Sequence, residues 1–357
     1  MPRPRSSGCY HRPMFSYRHA FHAGSHADVL KHMVLIAVLR HLTRKDTALT
    51  VVDTHAGAGL YRLDGDYATH TGEARTGVLK LFAQLHAAAP DSQTNTGEAV
   101  VLASLDASNN VAKANGRAID MPTRRATPRG VVTPILQDYL DLVAGFNPDG
   151  GLRIYPGSPF VIHRLLRADV RDRLRLFELH PTDARSLAAN IAQLGAGHAV
   201  TAAAQDGFEA LKALLPPPSR RALALIDPSY EIKSDYARVA ACVQDGLKRF
   251  ATGSYLVWYP VIPRPEAHAL PRRLRTLANQ AGRAWLDAQL SIGQDDARRA
   301  AAADPTAAPR RPGLTASGVF VINPPHTLRA SLEAALPQLL QILGRGRGRH
   351  YTLDAAA

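Results

Sequence analysis

The stretch Leu49-Thr50-Val51-Val52-Asp53-Thr54-His55-Ala56-Gly57-Ala58-Gly59 decides the architecture. Leu49–Val52 is a short apolar run with β-branched residues, which reads as a buried strand. It ends on an acid and enters a glycine-spaced turn, where bare backbone can lie close to a ligand. G-x-G alone also fits a tight turn of small residues, so the flanking sequence has to decide. Upstream, Ser25 followed three residues later by Asp28 has the form of a capping box. Val29, Leu30, Met33, Val34, Ala37 and Val38 then recur at helical spacing, with Lys31 and His32 in the first turns.

Downstream, residues 72–88 read as helical and Ile135–Phe146 resumes a helical pattern. In Tyr155-Pro156-Gly157-Ser158-Pro159, Ser158 is the expected N-cap and Pro159 the first helical position. Strand candidates Leu174–Phe177, His198–Ala202, Leu223–Ile226, Tyr255–Trp258, Trp285–Leu290 and Val319–Ile322 follow. Between them lie helix candidates Thr182–Leu194, Gly207–Leu215, Ser234–Phe250 and Pro265–Ala281. Strands alternating with helices of this length mean βαβ units, hence an α/β fold with a doubly wound, mostly parallel sheet. Residues 91–134 and 294–312 are polar insertions without a stable period. Residues 1–13 read as a disordered extension, with Met14 an alternative start, and 344–357 as a flexible basic tail whose Arg345, Arg347 and Arg349 are spaced by glycine.

Composition sets limits. The 357 residues hold two cysteines, Cys9 and Cys242, which excludes a disulfide framework or a four-thiolate zinc site and fits a reducing cytosol. No run of 18 uncharged apolar residues exists to span a membrane, and the N-terminus lacks the apolar region of a secretory signal. Lys plus Arg (43) exceeds Asp plus Glu (30) by 13. Such a balance points to a polyanion, most often nucleic acid, although an arginine-favouring composition gives the same excess.

In open α/β sheets ligands sit at the carboxyl ends of the strands. Here three such ends carry an acid, Asp53, Glu178 and Asp227, and Asp206 lies in the loop after the third strand candidate. A ribose-binding acid usually stands about 20 residues past the glycine turn. Glu178 is 125 residues past Asp53, so residues 60–173 must largely be inserted. The segment Ile226-Asp227-Pro228-Ser229-Tyr230 carries the most specific chemistry. An exocyclic amine has its lone pair delocalised into the ring, and its methylation needs acceptors for the N–H groups. Asp227 and the Pro228 carbonyl are such acceptors, and the Tyr230 ring can stack an extruded base. A polar turn after a strand is the competing reading of these residues.

These motifs resemble a known family. Ser16–His32, with Tyr17, Arg18, Lys31 and His32, precedes Asp53–Gly59. Tyr155–Pro159, Glu178-Leu179-His180-Pro181, Asp206-Gly207-Phe208, Asp227–Tyr230, Trp258-Tyr259-Pro260-Val261 and Leu314–Gly318 follow in order. The set is similar to the bacterial 23S ribosomal RNA adenine-N6 methyltransferases of adenine 2030, the RlmJ family, over nearly all of 14–343 apart from the polar insertions. The resemblance implies a Rossmann-like methyltransferase domain with a small helical insertion subdomain at about 62–150. It also implies S-adenosylmethionine (SAM) as methyl donor, without a metal. Carried over, the donor contacts are Lys31, His32, His55, Ser158, Glu178, Asp206, Gly207 and Asp227. Asp227, Pro228 and Tyr230 are the catalytic set, with Tyr17 and Arg18 on the RNA side. The expected partner is 23S rRNA, protein-free or partly assembled, met in the cytoplasm by a monomer and without a membrane. This chain departs from the family at Ser229, where the family has a second proline, and in the long 91–134 insertion.

Two other readings stay open on these residues. A DNA adenine-N6 methyltransferase uses the same tetrapeptide, and a non-catalytic RNA-binding protein could keep the fold. A nicotinamide oxidoreductase is disfavoured because the turn lacks that fingerprint's third glycine. His19, His22, His26 and His32 are close in sequence, but no cysteine accompanies them and the resemblance assigns the segment to SAM and RNA. The basic excess is expected to meet phosphates, through Arg18 and the arginines of the insertions, making RNA affinity fall steeply with salt.

Overall fold

In a computed structural model the chain is described over residues 19–65, 72–85, 131–294 and 313–356. Helix α1 (His26–Leu42) starts on Ser25, whose hydroxyl accepts the Asp28 amide, as the capping pattern predicts. The helix is apolar nearly all round because it is buried nearly all round. Strand β1 (Thr50–Asp53) follows. Short β2 (Leu60–Arg62) pairs antiparallel with β3 (Ile154–Pro156), and helices α2 (Glu73–Thr76), α3 (Val78–Leu85) and α4 (Pro134–Ala144) lie between them. Leu81, Phe82, Ile135 and Tyr139 from these helices join the apolar cluster of α1 and form no core of their own.

The βαβ succession then runs α5 (Ser158–Leu165), β4 (Arg173–Phe177), α6 (Pro181–Ala192), β5 (Val200–Ala203), α7 (Gly207–Leu214), β6 (Ala222–Ile226), α8 (Ser234–Arg249), β7 (Ser254–Pro260) and α9 (Pro265–Gln280). It ends with β8 (Trp285–Gln294), β9 (Ala316–Ile322), α10 (Leu328–Leu343) and β10 (Arg347–Ala356). One eight-stranded sheet orders them β10-β8-β9-β7-β6-β1-β4-β5. β5, β4, β1, β6 and β7 are parallel, and β9, β8 and β10 are antiparallel to their neighbours. This is the α/β, Rossmann-like sheet expected from the alternation. β1 sits between β4 and β6, so their carboxyl ends meet and the 125-residue separation of Asp53 and Glu178 disappears in space.

The basic tail corrects an expectation. Residues 347–356 are not a flexible end but the edge strand β10, with Tyr351 opposite Leu290 and Ala356 opposite Trp285. Tyr351, Thr352 and Leu353 favour strand, and the edge of β8 supplies main-chain partners that the Gly-Arg spacing does not reveal. The 91–130 part of the first polar insertion, 295–312 of the second, and the 1–13 extension lie outside the described residues.

Candidate active site

The carboxyl ends of β1, β4, β5 and β6 open onto one cleft. Asp53 closes β1 and is fully buried. Ser158 Oγ donates to its Oδ2 at 2.7 Å and the His55 amide to Oδ1 at 3.3 Å. Burial lifts this carboxyl to about 7 against the Ser158 bond, with the Asp227 charge adding to the rise. Ser158 itself is the first residue of α5, and Gly157 takes the N-cap place expected for Ser158. The hydroxyl therefore holds Asp53 instead of capping its own helix.

Glu178 closes β4. Its two oxygens accept the Gly57 and His180 amides at 2.8 and 2.7 Å, which pins the glycine turn to the neighbouring strand. Burial raises its pKa despite these bonds, and a carboxylate with about four lone-pair sites keeps capacity for a ligand's hydroxyls. Asp206 caps α7, accepting from the Phe208 and Glu209 amides at 3.0 and 3.4 Å, and its other oxygen pairs with Arg238. A Cβ at Gly207 would stand 2.0 Å from the Thr54 carbonyl oxygen. Glycine is what lets the β5–α7 loop press against the end of β1.

Two histidines face the cleft in neutral form. Burial pushes His55 down to about 3; its ring meets Phe208 edge-on at 4.7 Å. Burial, reinforced by the Lys31 charge, pushes His32 to about 3 as well. His32 Nδ1 lies 2.9 Å from the Tyr155 hydroxyl, itself 3.3 Å from the Tyr139 hydroxyl. The Nε2 atom of His32 is buried at the cleft wall, without a hydrogen-bond partner among the described residues.

Asp227 ends β6. Lys31 Nζ bridges it to the helix, at 2.5 Å from Asp227 Oδ2 and 2.9 Å from Asp28 Oδ1. Burial pushes the Asp227 carboxyl up while Lys31 opposes it. For Lys31 the two carboxylates outweigh the desolvation that burial imposes, so its pKa is raised and it stays an ammonium. Asp28 in turn accepts from His19 Nε2 and the Gly24 amide, both at 3.0 Å. Lys31, expected to contact the donor, thus has its charge committed to Asp227 and Asp28.

Tyr230 requires a correction. It does not line the cleft: the residue is 2% exposed, its hydroxyl donates to the Trp258 carbonyl at 2.7 Å, and its ring packs on Tyr236 at 4.6 Å. Its backbone is left-handed, with φ 53°, which costs on the order of 1 kcal/mol for a residue with a Cβ. That conformation turns the ring into the core, where it anchors the Asp227–Tyr230 turn to β7, and no stacking face is presented. Tyr17 and Arg18 lie outside the described residues.

Sequence reading missed His19, Asp28, Tyr61 and Arg238. The i, i+3 spacing of Asp28 and Lys31 was the available signal for one of them; Arg238 reaches Asp206 only through the sheet topology. Of the clustered histidines, His19 pairs with Asp28, and His22 with Glu73 at 3.0 Å. Among the described residues no three metal-binding side chains converge.

A family model described as "Ribosomal RNA large subunit methyltransferase D, RlmJ" matches residues 46–96 and 106–354. The chain is 37% identical over 341 residues to ribosomal RNA large subunit methyltransferase J of Escherichia coli K12, covering 96% of this chain and 98% of that protein. It is 35% identical over 331 residues to the protein of the same name from Haemophilus influenzae, covering 92% and 94%. A crystal structure of a Legionella pneumophila protein superposes with a TM-score of 0.68 at 27% identity, covering 94% of this chain and 99% of that one. With Glu178, Asp206 and Asp227 lining one cleft at the strand ends and the similarity spanning nearly the whole chain, the protein belongs to the RlmJ family of ribosomal RNA large subunit methyltransferases.

Proposed function

We propose that the chain methylates the N6 amino group of an adenine in large-subunit ribosomal RNA, at adenine 2030 by its resemblance to the family, with SAM as donor. The cleft fits that donor. Glu178 and the glycine turn suit a ribose, the lining acids Glu178, Asp206 and Asp227 suit a cationic ligand, and His32 Nε2, unpartnered among the described residues, calls for a polar partner. When bound, SAM supplies a methyl group on a positive sulfonium.

The observation that carries the reading is Asp227. Its Oδ2 is fixed by Lys31, and its side chain remains 12% exposed beside Pro228 at the cleft. An adenine amino group entering there donates one N–H to Asp227 and the other to the Pro228 carbonyl, which draws electron density onto nitrogen. The N–CH₃ bond forms as the sulfonium–carbon bond breaks, and the nitrogen then sheds one proton. Lys31 favours the carboxylate form of Asp227 against the pull of burial, so that form orients the amine and stands ready to accept the proton. Holding the reactants aligned is the larger part of the catalysis. The target is a base in an RNA free of ribosomal protein or partly assembled, and the enzyme works as a monomer in the cytoplasm.

The test is methyl transfer from labelled SAM to protein-free 23S rRNA, 16S rRNA and duplex DNA. Label on 23S rRNA alone, recovered as N6-methyladenosine, is the expected result. Preferential label on DNA would replace this reading with the DNA one. Donor binding without transfer to any nucleic acid would favour the binding-protein reading.

A further inference from the structure

The opposite edge of the same sheet carries the opposite charge. The loops that lead into β1, β4 and β6 contain Arg44, Lys45, Arg167, Arg171, Arg220 and Arg221, against Asp46, Asp169 and Asp172. These three strands are neighbours, about 4.8 Å apart, so the loops lie side by side. They are also tied together. Arg167 Nη1 donates to the Thr43 and Lys45 carbonyls, both at 2.6 Å. Arg221 donates to the carbonyls of Leu42, Lys45 and Thr47. Asp172, fully buried by its neighbours, spends its charge on Arg167 and the Leu49 amide. The half-buried guanidiniums thereby order the loop on which Arg44 and Lys45 stand exposed.

Strain marks the same edge. Arg171 and Arg220 have left-handed backbones, φ 62° and 55°, at turns where glycine would be accommodated without cost. Both are exposed and, among the described residues, neither forms an ion pair. Keeping an arginine in a conformation that disfavours it, twice on one edge, points to a use for the charge rather than for the fold.

The geometry points to this edge as a second RNA-contact surface, one that grips phosphates of the substrate at a distance from the target base. The inference rests on the proposed function for its choice of polyanion. From Lys31 at the cleft to Thr43 at this edge, α1 rises by about 18 Å at ~1.5 Å per residue. Even at the ~3.4 Å rise of a B-form duplex, a stem needs at least about five base pairs to span that distance. A dinucleotide seated in the cleft therefore cannot reach the edge, whereas a folded rRNA domain can.

Two variants test it. Arg44→Glu/Lys45→Glu reverses charge on an exposed loop, and Arg171→Gly/Arg220→Gly removes charge while relieving strain. For a protein-free 23S rRNA fragment in about 0.15 M salt, each variant is expected to raise the dissociation constant roughly tenfold or more. Each should also flatten the log–log salt dependence by about 1.4 to 1.8, at ~0.7–0.9 per lost phosphate contact. SAM affinity and binding of a dinucleotide should not change, and the glycine variant should melt no lower than the parent. Affinity and salt slope for the long RNA equal to those of the parent chain, in both variants, would overturn the surface. A parent chain that binds the fragment but transfers no methyl to it would overturn the proposed function instead, and the affinity comparison would still decide the surface.

Discussion

Asp227 at the end of β6 and Asp287 in β8 are buried acids of one sheet, and burial pushes both carboxyls upward. Their surroundings differ. Asp287 is 1% exposed, with Oδ1 accepting the Tyr259 hydroxyl at 2.5 Å and Oδ2 accepting Arg275 at 3.0 Å. Arg275 continues to Asp354 on β10 at 2.7 Å and lies 5.0 Å from the Trp285 ring, while Gln289 donates to the Tyr259 oxygen. Asp227 accepts one donor, Lys31, and its Oδ1 has no partner among the described residues. A closed network holds the antiparallel half of the sheet together. An open one, at the parallel half, leaves a carboxylate oxygen facing the cleft.

The comparison also sorts the family motifs. Trp258–Val261 and Leu314–Gly318 meet as a β7–β9 pair in which Tyr259 faces Gly318. A Cβ at Gly318 would lie 2.3 Å from the Tyr259 ring. These motifs seat the tyrosine that closes the Asp287 network, and they bring no polar group to the cleft.

The comparison can be broken most forcefully at its closed end. Asp287→Ala leaves the buried Tyr259 hydroxyl without its acceptor and Arg275 with Asp354 alone, and should cost about 3 kcal/mol of stability, seen as an earlier denaturant midpoint, while the turnover of enzyme that remains folded is kept. A smaller effect is expected where the open end is built. Gly207→Ala drives a Cβ into the Thr54 carbonyl and should cost about 1 to 3 kcal/mol, with a loss of SAM affinity measurable by calorimetry that Asp287→Ala does not share.

Asp53 sharpens the contrast through pH. Its folded pKa, about 7, lies above its ordinary value of 3.8, so the folded state holds the extra proton between those values. Stability contributed by that proton is present at low pH and lost as pH rises from about 4 to about 7. Melting temperatures across this window should fall with pH in the parent chain and fall less in Asp53→Asn. Smallest of all is Ser229→Pro. A second proline in the Asp227–Tyr230 turn removes freedom from the unfolded chain, worth about 0.4 to 1 kcal/mol, and methyl-transfer rates should shift by no more than a few-fold.

Much of this was legible in the sequence because parallel strands and their helices carry their own periodicity. Ser234–Phe250 and Pro265–Ala281 end within one residue of α8 and α9, and Trp285 starts β8 as read. What escaped lacks local signal. β2 and β3 have three residues each, α10 carries Pro337 in its interior, and β10 exists because β8 offers an edge. At the site, acids at strand ends were readable from position alone. The inward turn of Tyr230 and the commitment of Lys31 to two carboxylates were not, since both depend on residues brought together by the sheet from 28 to 196 positions away.

The most direct measurement is the nucleoside content of protein-free 23S rRNA after incubation with SAM and either the parent chain or Asp227→Asn, alongside donor affinity and melting temperature. The parent should yield N6-methyladenosine. Asp227→Asn, assayed at saturating SAM and at a temperature where the variant is folded, should yield on the order of 10²-fold less or below. Undiminished N6-methyladenosine from a folded Asp227→Asn protein would contradict the assignment of the open carboxylate as the site of methyl transfer.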